Sequence, residues 1–247
     1  MESRNPVLGK NTFSQFGFAG SADSAGMTVQ GTLNKSLLLV VLACTSGVVS
    51  WAIIGANPGM GMAMIVLSAI VAFVLAMVAS FRPQSSPVVA PIYAVTEGLV
   101  LGGVSALYAT MANGIVPLAV GLTLSVLLVM LVLYRAGILR ATPAFTRMVV
   151  VATGGVFVLY MVAIGLSFFH LSLPGLWTPT PLGIGIQLVI VGIAALNFIL
   201  DFDFIERGSQ QGAPKFMEWY GAFSICVTLF WLYLEILRLL ALMNSRN

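Results

Sequence analysis

The sequence predicts an all-α integral membrane protein, a bundle of seven transmembrane helices. Of its 247 residues, 59% are hydrophobic and 8% are charged, whereas soluble domains have roughly 45–50% apolar and about 25% charged residues. The hydrophobic residues form runs of about 20, the length that a helix needs to cross a hydrocarbon core of roughly 30 Å. Because lipid offers no partner for free backbone N–H and C=O groups, these runs must be helical.

Seven such runs follow one another along the chain: 36–56, 59–81, 88–111, 116–134, 148–169, 182–201 and 219–242. The last run is the weakest, since a re-entrant segment would also fit it. Residues 1–34 are polar, rich in Gly, Ser and Asn, and lack the apolar core of a signal peptide. We therefore expect a flexible cytoplasmic tail over 1–34 and a single membrane domain over 35–243.

Basic residues fall mostly on one side of these runs and so predict the orientation. Nine lie in the tail and in the loops of one side: Arg4, Lys10, Lys35, Arg82, Arg135, Arg140, Arg147, Arg207 and Lys215. The other side has Arg238 and Arg246. The positive-inside rule then puts the N-terminus in the cytoplasm and the C-terminus outside, in the periplasm of a bacterium. The net charge of +3 reflects this topology and indicates no nucleic-acid partner.

The composition also limits the chemistry. With 11 basic residues, 8 acidic residues and one histidine, the chain has too little polar material for a separate catalytic or nucleotide-binding domain. The common phosphate-binding, dinucleotide, hydrolase and zinc-protease motifs do not occur. We expect neither an enzyme nor a cofactor, and a monomer or small homo-oligomer in the lipid bilayer. His170 is expected at the membrane interface, and Cys44 and Cys226 as small core residues.

Glu97 lies near the middle of the third run, about 13 Å from its start. An ionisable residue at this depth must face the bundle interior, a water-filled cavity or a partner. Tyr93 and Tyr108 share its side of the helix, so we expect these phenols to hydrogen-bond the carboxyl. A structural carboxyl and a proton or cation site are both compatible with this pattern.

The sixth run presents one polar face. Gln187, Asn197 and Asp201 fall within about 80° of one another at 100° per residue. Asp203 points the opposite way and precedes Arg207 by four residues, the favourable order for a helical ion pair. We expect Asp201 to face the bundle interior and Asp203 to face the solvated cytoplasmic end.

The last run contains a polar stripe of five residues, Ser224, Thr228, Trp231, Glu235 and Arg238. Glu235 and Arg238 are spaced for an intrahelical ion pair, and Thr228 is expected to bond its own i−4 carbonyl. If the three polar faces meet, Asp201, Glu97 and Glu235 form a row of oxygen ligands across the membrane. Such ligands suit Ca²⁺ or protons in transit, with transient Ca²⁺ contacts at Asp201 and Glu97 and no resident metal site.

Small residues at helix-packing spacing occur in two runs. Gly98 and Gly102 lie in the third run, and Gly183, Gly192 and Ala194 lie in the sixth. Such residues let helix backbones approach closely. We therefore expect tight helix contacts at both places.

Three stretches carry a resemblance to a known family: SPVVAPIYAVTEGLVLGGVSALY at 86–108, AALNFILDFDFIERG at 194–208 and YGAFSICVTLFWLYLEILRLLA at 220–241. They resemble the Bax inhibitor-1 family, also called YccA-like or transmembrane Bax inhibitor motif proteins, over roughly residues 30 to 243. The resemblance implies a seven-helix fold with the last helix at the centre, a calcium leak that responds to pH, and roles in stress tolerance and cell-death suppression. For some bacterial members it also implies a regulatory contact with a membrane protease.

The family's pH sensor is a pair of aspartates, in spans six and seven, with an arginine near span two as a latch. By this resemblance Asp201 matches the first aspartate, and Thr228 stands where the second is expected. The pair is thus broken, and with it the coupled titration of two carboxyls. Asp203 lies on the wrong face to replace it, and Glu235 is two turns away. Arg82 is the candidate latch.

The leading hypothesis is therefore a pH-sensitive leak channel for Ca²⁺ or other cations in a bacterial inner membrane, closed by pairing of Asp201 with Arg82. One rival is a non-conducting regulator that binds another membrane protein, such as a protease, through its tail and cytoplasmic loops. The other rival is a proton-coupled cation exchanger.

Overall fold

Seven long helices make up the part of the chain that the structure describes. The computed structural model describes residues 26–169, 171 and 178–245, and the regular structure in these ranges is entirely helical. The helices are α1 (Val29–Ala56), α2 (Pro58–Phe81), α3 (Ser86–Ala109), α4 (Ile115–Arg135), α5 (Pro143–Ser167), α6 (Pro181–Gln210) and α7 (Met217–Asn244). Each is long and apolar enough to cross a membrane. The predicted all-α membrane bundle is confirmed.

The first helix begins earlier than the sequence suggested. Thr28 caps α1, because its hydroxyl accepts a hydrogen bond from the backbone N–H of Gly31 at 3.0 Å. Residues 29–34, expected in the flexible tail, are therefore helical, and Lys35 lies inside α1 rather than before it. Residues 1–25 of the expected tail lie outside the described residues, as do His170 and Arg246.

The last helix lies at the centre of the bundle. It packs against α1, α3, α4 and α6. In its most apolar stretch 67% of the residues are buried, against 17–50% in the corresponding stretches of the other helices. The central position implied by the family resemblance is confirmed. α7 is a continuous helix of 28 residues, about 42 Å long at 1.5 Å per residue. A re-entrant segment would need a break, and none interrupts this helix.

A close helix contact joins α1 to α3 through glycines. A Cβ atom on Gly102 would overlap the backbone of Gly47, and one on Gly98 would overlap Ser46 and Ala43. The close approach expected at Gly98 and Gly102 is confirmed. The expectation for Gly192 in α6 is wrong, because nothing lies within 4 Å of where its Cβ would stand.

Candidate functional site

Three buried carboxylates lie in separate polar clusters along α7. We call them the Glu218 cluster, at the start of α7, the Asp201 cluster, in the middle, and the Glu235 cluster, towards its end. The Glu218 cluster joins α7 to α1, the Asp201 cluster joins it to α6, and the Glu235 cluster joins it to α5 and α6. The single row of ligands expected from the sequence is therefore divided into distinct environments.

The Asp201 cluster holds a buried carboxylate between α6 and α7. Asp201 is 7% exposed, and it accepts a hydrogen bond from Ser224 at Oδ1 and one from Thr228 at Oδ2, the latter at 2.6 Å. The sequence predicted that Thr228 would bond its own i−4 carbonyl, and this prediction is wrong. Its hydroxyl donates to Asp201 instead, because a buried carboxylate is the stronger acceptor. Each carboxylate oxygen of Asp201 thus has one hydroxyl donor from the central helix.

The other polar residues of α6 lie away from Asp201. Asn197 donates to Thr153 of α5 at 2.9 Å and to its own Ile193 carbonyl. Gln187 lies about 21 Å along the helix from Asp201, at 1.5 Å per residue, and contacts the Glu235 cluster instead. A common face on a helical wheel therefore does not place these three side chains in one site.

Asp203 points away from Asp201, as predicted. It forms an ion pair with Arg207 at 2.7 Å, which confirms the expected i, i+4 pair. On the same side, Glu206 accepts a hydrogen bond from Tyr134 of α4. Asp203 is therefore not placed to act as a second carboxylate for Asp201.

The Glu235 cluster surrounds a carboxylate that is 2% exposed. Glu235 accepts hydrogen bonds from Tyr160 at 2.8 Å, from Gln187 at 2.5 Å and from Trp231 at 3.0 Å. Arg238 forms the predicted ion pair with it at 3.2 Å and also donates to the Tyr160 hydroxyl at 2.9 Å. Four side chains therefore bind this carboxylate, one each from Tyr160, Gln187, Trp231 and Arg238.

Glu97 has a different environment from the one expected. Within the described ranges, its half-buried side chain makes no hydrogen bond with Tyr93, Tyr108 or any other residue. Tyr93 instead packs its ring against Phe223 and Phe230 of α7, at centroid distances of 5.0 and 6.4 Å. The predicted bonds from the two phenols are therefore absent. For Tyr93 the reason is that its ring packs against aromatic side chains of α7.

The carboxylates do not converge on a metal site. Among the residues that the structure describes, no group of three or more His, Cys, Asp or Glu side chains could hold a metal ion. Asp201 and Glu235 lie in the same bundle but are bound by different partners.

The chain matches the family described as Bax inhibitor 1 like over residues 5–245, nearly its whole length. The chain belongs to the Bax inhibitor 1 like family. A search of curated proteins found no match.

The arginine latch implied by the resemblance is not engaged in this Bax inhibitor 1 like chain. Arg82 is exposed at the end of α2, and the ion pairs among the described residues do not include it. The reason is the packing, because α2 contacts α3 and α1 rather than α6. Arg82 therefore does not pair with Asp201 here, and the expected closed-state contact is not formed.

The Glu218 cluster was missed by sequence reasoning. Glu218 has a fully buried side chain that pairs with Lys35 of α1 and, at 2.8 Å, with Lys215. It also accepts hydrogen bonds from the backbone N–H and the hydroxyl of Thr28, at 2.9 and 2.8 Å. A Cβ atom on Gly31 would overlap the carboxylate. This cluster fixes the start of α1 to the start of α7.

Proposed function

We propose that this Bax inhibitor 1 like protein is a pH-sensitive leak channel for Ca²⁺ or related cations, with Asp201 as its proton sensor. One observation carries the proposal: a buried carboxylate between α6 and the central helix is held by two hydroxyls of that helix. An ionisable side chain buried within a transmembrane segment is rare and costly, and it marks ion or proton pathways in membrane proteins.

The hydrogen bonds of Asp201 supply the means of gating. When the carboxylate is ionised, the bonds from Ser224 and Thr228 are charge-assisted, roughly twice as strong as neutral ones, and they hold α6 against α7. Protonation removes the charge and turns one oxygen into a donor, so both contacts weaken. The cation flux then rises as the pH falls. Because one carboxyl titrates rather than a coupled pair, the response follows a single proton.

The orientation forms part of the proposal. We place the N-terminus and the basic loops in the cytoplasm and the C-terminus in the periplasm of a bacterial inner membrane. The distribution of basic residues supports this, and seven crossings put the two termini on opposite sides. Asp201 then lies in the cytoplasmic half of α6, nine residues before its end at Gln210.

Ca²⁺ flux into liposomes tests the proposal. The purified protein is reconstituted, and flux is followed at about pH 6 and pH 8 for the wild type, Asp201→Asn and Asp203→Asn. The wild type should conduct more at pH 6, and Asp201→Asn should conduct equally at both pH values, because the amide mimics the protonated acid. Asp203→Asn is the control, since its carboxylate pairs with Arg207, and it should behave like the wild type.

Two outcomes would contradict the leak channel. No flux above that of empty liposomes at either pH would favour a non-conducting regulator. Uphill accumulation of Ca²⁺ driven by an opposing pH gradient would identify a proton-coupled exchanger, because a leak channel cannot move ions against their electrochemical gradient.

The regulator is the second candidate, and the Glu235 cluster favours it. The carboxylate of Glu235 is bound by four side chains, so it offers no ligand to a cation in the outer half of the bundle. Under this view the buried carboxylates are structural, and another membrane protein, such as a protease, is the partner. Deletion of residues 1–25 would then abolish regulation of this partner, whereas Asp201→Asn and Glu97→Gln would preserve it.

A further inference from the structure

A groove of about 1060 Å³ opens on the side of the bundle between α1 and α4. Leu33 and Leu37 of α1 line one wall, Leu124 and Leu128 of α4 line the other, and Leu229 of α7 contributes to the floor. Leu37 and Leu128 are 66% and 61% exposed. Helices that cross a membrane present such a groove to the hydrocarbon core, so an acyl chain is the natural occupant of its apolar part.

The length of the apolar part fits one leaflet. On the α4 wall it runs from Leu124 to Arg135, which is about 16 Å at 1.5 Å per residue. Half of a hydrocarbon core of roughly 30 Å is about 15 Å. The apolar part of the groove is therefore long enough to reach from mid-membrane to the headgroup level, and it ends where the basic residues begin.

The polar end of the groove is basic. Arg135, Arg140 and Arg207 line it together with Asp203 and Glu206. The two carboxylates already have partners, because Asp203 pairs with Arg207 and Glu206 accepts hydrogen bonds from Tyr134 and Gln210.

Two guanidinium groups therefore remain without an acidic partner among the residues that the structure describes. Among the described residues, no carboxylate lies within 4.0 Å of Arg135 or Arg140. Arg140 donates to the carbonyl of Gly137 at 3.2 Å, and this bond occupies one of its five N–H groups. Both side chains are exposed, and guanidinium groups suit the geometry of a phosphate.

We propose that this groove binds an anionic phospholipid, with its phosphate at Arg135 and Arg140 and an acyl chain along the α1 and α4 walls. The charge of the polar end selects an anionic headgroup, and the apolar walls select a lipid over a soluble phosphate. This site goes beyond the proposed function, because it involves neither conduction nor the titration of Asp201.

Native mass spectrometry of the detergent-solubilised full chain tests the headgroup contact. The protein is titrated with phosphatidylglycerol or phosphatidylcholine, and the retained lipid is counted. We expect phosphatidylglycerol to bind about thirtyfold more tightly, since the two arginines contribute about 1 kcal/mol each near an anionic lipid. The double variant Arg135→Gln/Arg140→Gln should lose this preference, and the control Arg147→Gln should keep it, because Arg147 is exposed but does not line the groove.

A second pair of variants tests the acyl contact. Leu37→Trp fills the groove and should reduce the binding of both lipids, whereas Val48→Trp, at a 71% exposed position of the same helix outside the groove, should not. Equal binding of the two lipids by the wild type, or an unchanged preference in the double arginine variant, would overturn the proposal. So would a dimer that Leu37→Trp dissociates, because a second copy of the chain would then cover the groove.

Discussion

The hydroxyl of Thr228 in α7 donates a hydrogen bond to Oδ2 of Asp201 in α6, at 2.6 Å. The family resemblance placed a second aspartate at position 228, and the structure puts this residue in direct contact with the first. A neutral donor therefore stands where a second carboxyl would share a proton. The contact itself is kept, but the coupled titration is lost.

Thr228→Asp should restore a coupled pair. Two carboxyls in contact repel when both are ionised, so they retain one proton to a higher pH than a single carboxyl does. We expect the midpoint of the pH–flux curve to move to higher pH relative to the wild type. A pH series of Ca²⁺ flux in liposomes measures this. Thr228→Asn is the matched control without a charge, and an identical midpoint in the two variants would contradict the prediction.

Removing the carboxylate of Glu218 should destabilise the fold strongly. Glu218→Ala leaves Lys35, whose side chain is 20% exposed, without its buried partner, and breaking a buried pair costs about 3 kcal/mol. Lys215→Ala should cost less than about 1 kcal/mol, because the Lys215 side chain is 51% exposed. Thermal unfolding in detergent compares the two variants, and equal losses would show that burial does not determine the strength of these pairs.

The contact between α1 and α3 should be more sensitive to an added methyl group than the surface of α6. Gly102→Ala places a Cβ atom on the carbonyl of Gly47, so the helices must separate, at a cost of about 1–3 kcal/mol. Gly192→Ala meets nothing within 4 Å and should be neutral or stabilising by up to about 1 kcal/mol, from helix propensity. Thermal unfolding measures both variants. A loss of stability in Gly192→Ala as large as that in Gly102→Ala would contradict this difference.

The sequence was sufficient to predict the elements and several local contacts. Hydrophobic run length predicted seven helices, and residue spacing alone predicted the Asp203–Arg207 and Glu235–Arg238 ion pairs. These features depend on residues that are close along one helix. The geometry of a single helix is regular enough for such pairs to follow from spacing.

Contacts between helices were harder to predict. A helical wheel does not specify which neighbour a face meets, so Gln187 and Asn197 were grouped with Asp201 although they contact Glu235 and Thr153. The Glu218 cluster was missed because two of its partners, Thr28 and Lys35, come from the opposite end of the chain, and Thr28 lies in the segment expected to be a tail. The missed signal was an acidic residue in the first turn of the last helix, three residues after Lys215.

Glu235 should be structural rather than part of an ion pathway. Glu235→Gln keeps the shape of the side chain but removes the charge that Arg238 and Tyr160 contact, so we expect a loss of about 2 kcal/mol in unfolding free energy and a Ca²⁺ flux close to that of the wild type. Tyr160→Phe removes one of the four partners and is the milder control, expected to cost about 1 kcal/mol with the same flux. Thermal unfolding and liposome flux measured on the same preparations separate stability from conduction. A loss of flux in Glu235→Gln at unchanged stability would show that this carboxylate takes part in conduction. A group that only holds helices together cannot affect conduction without affecting the fold.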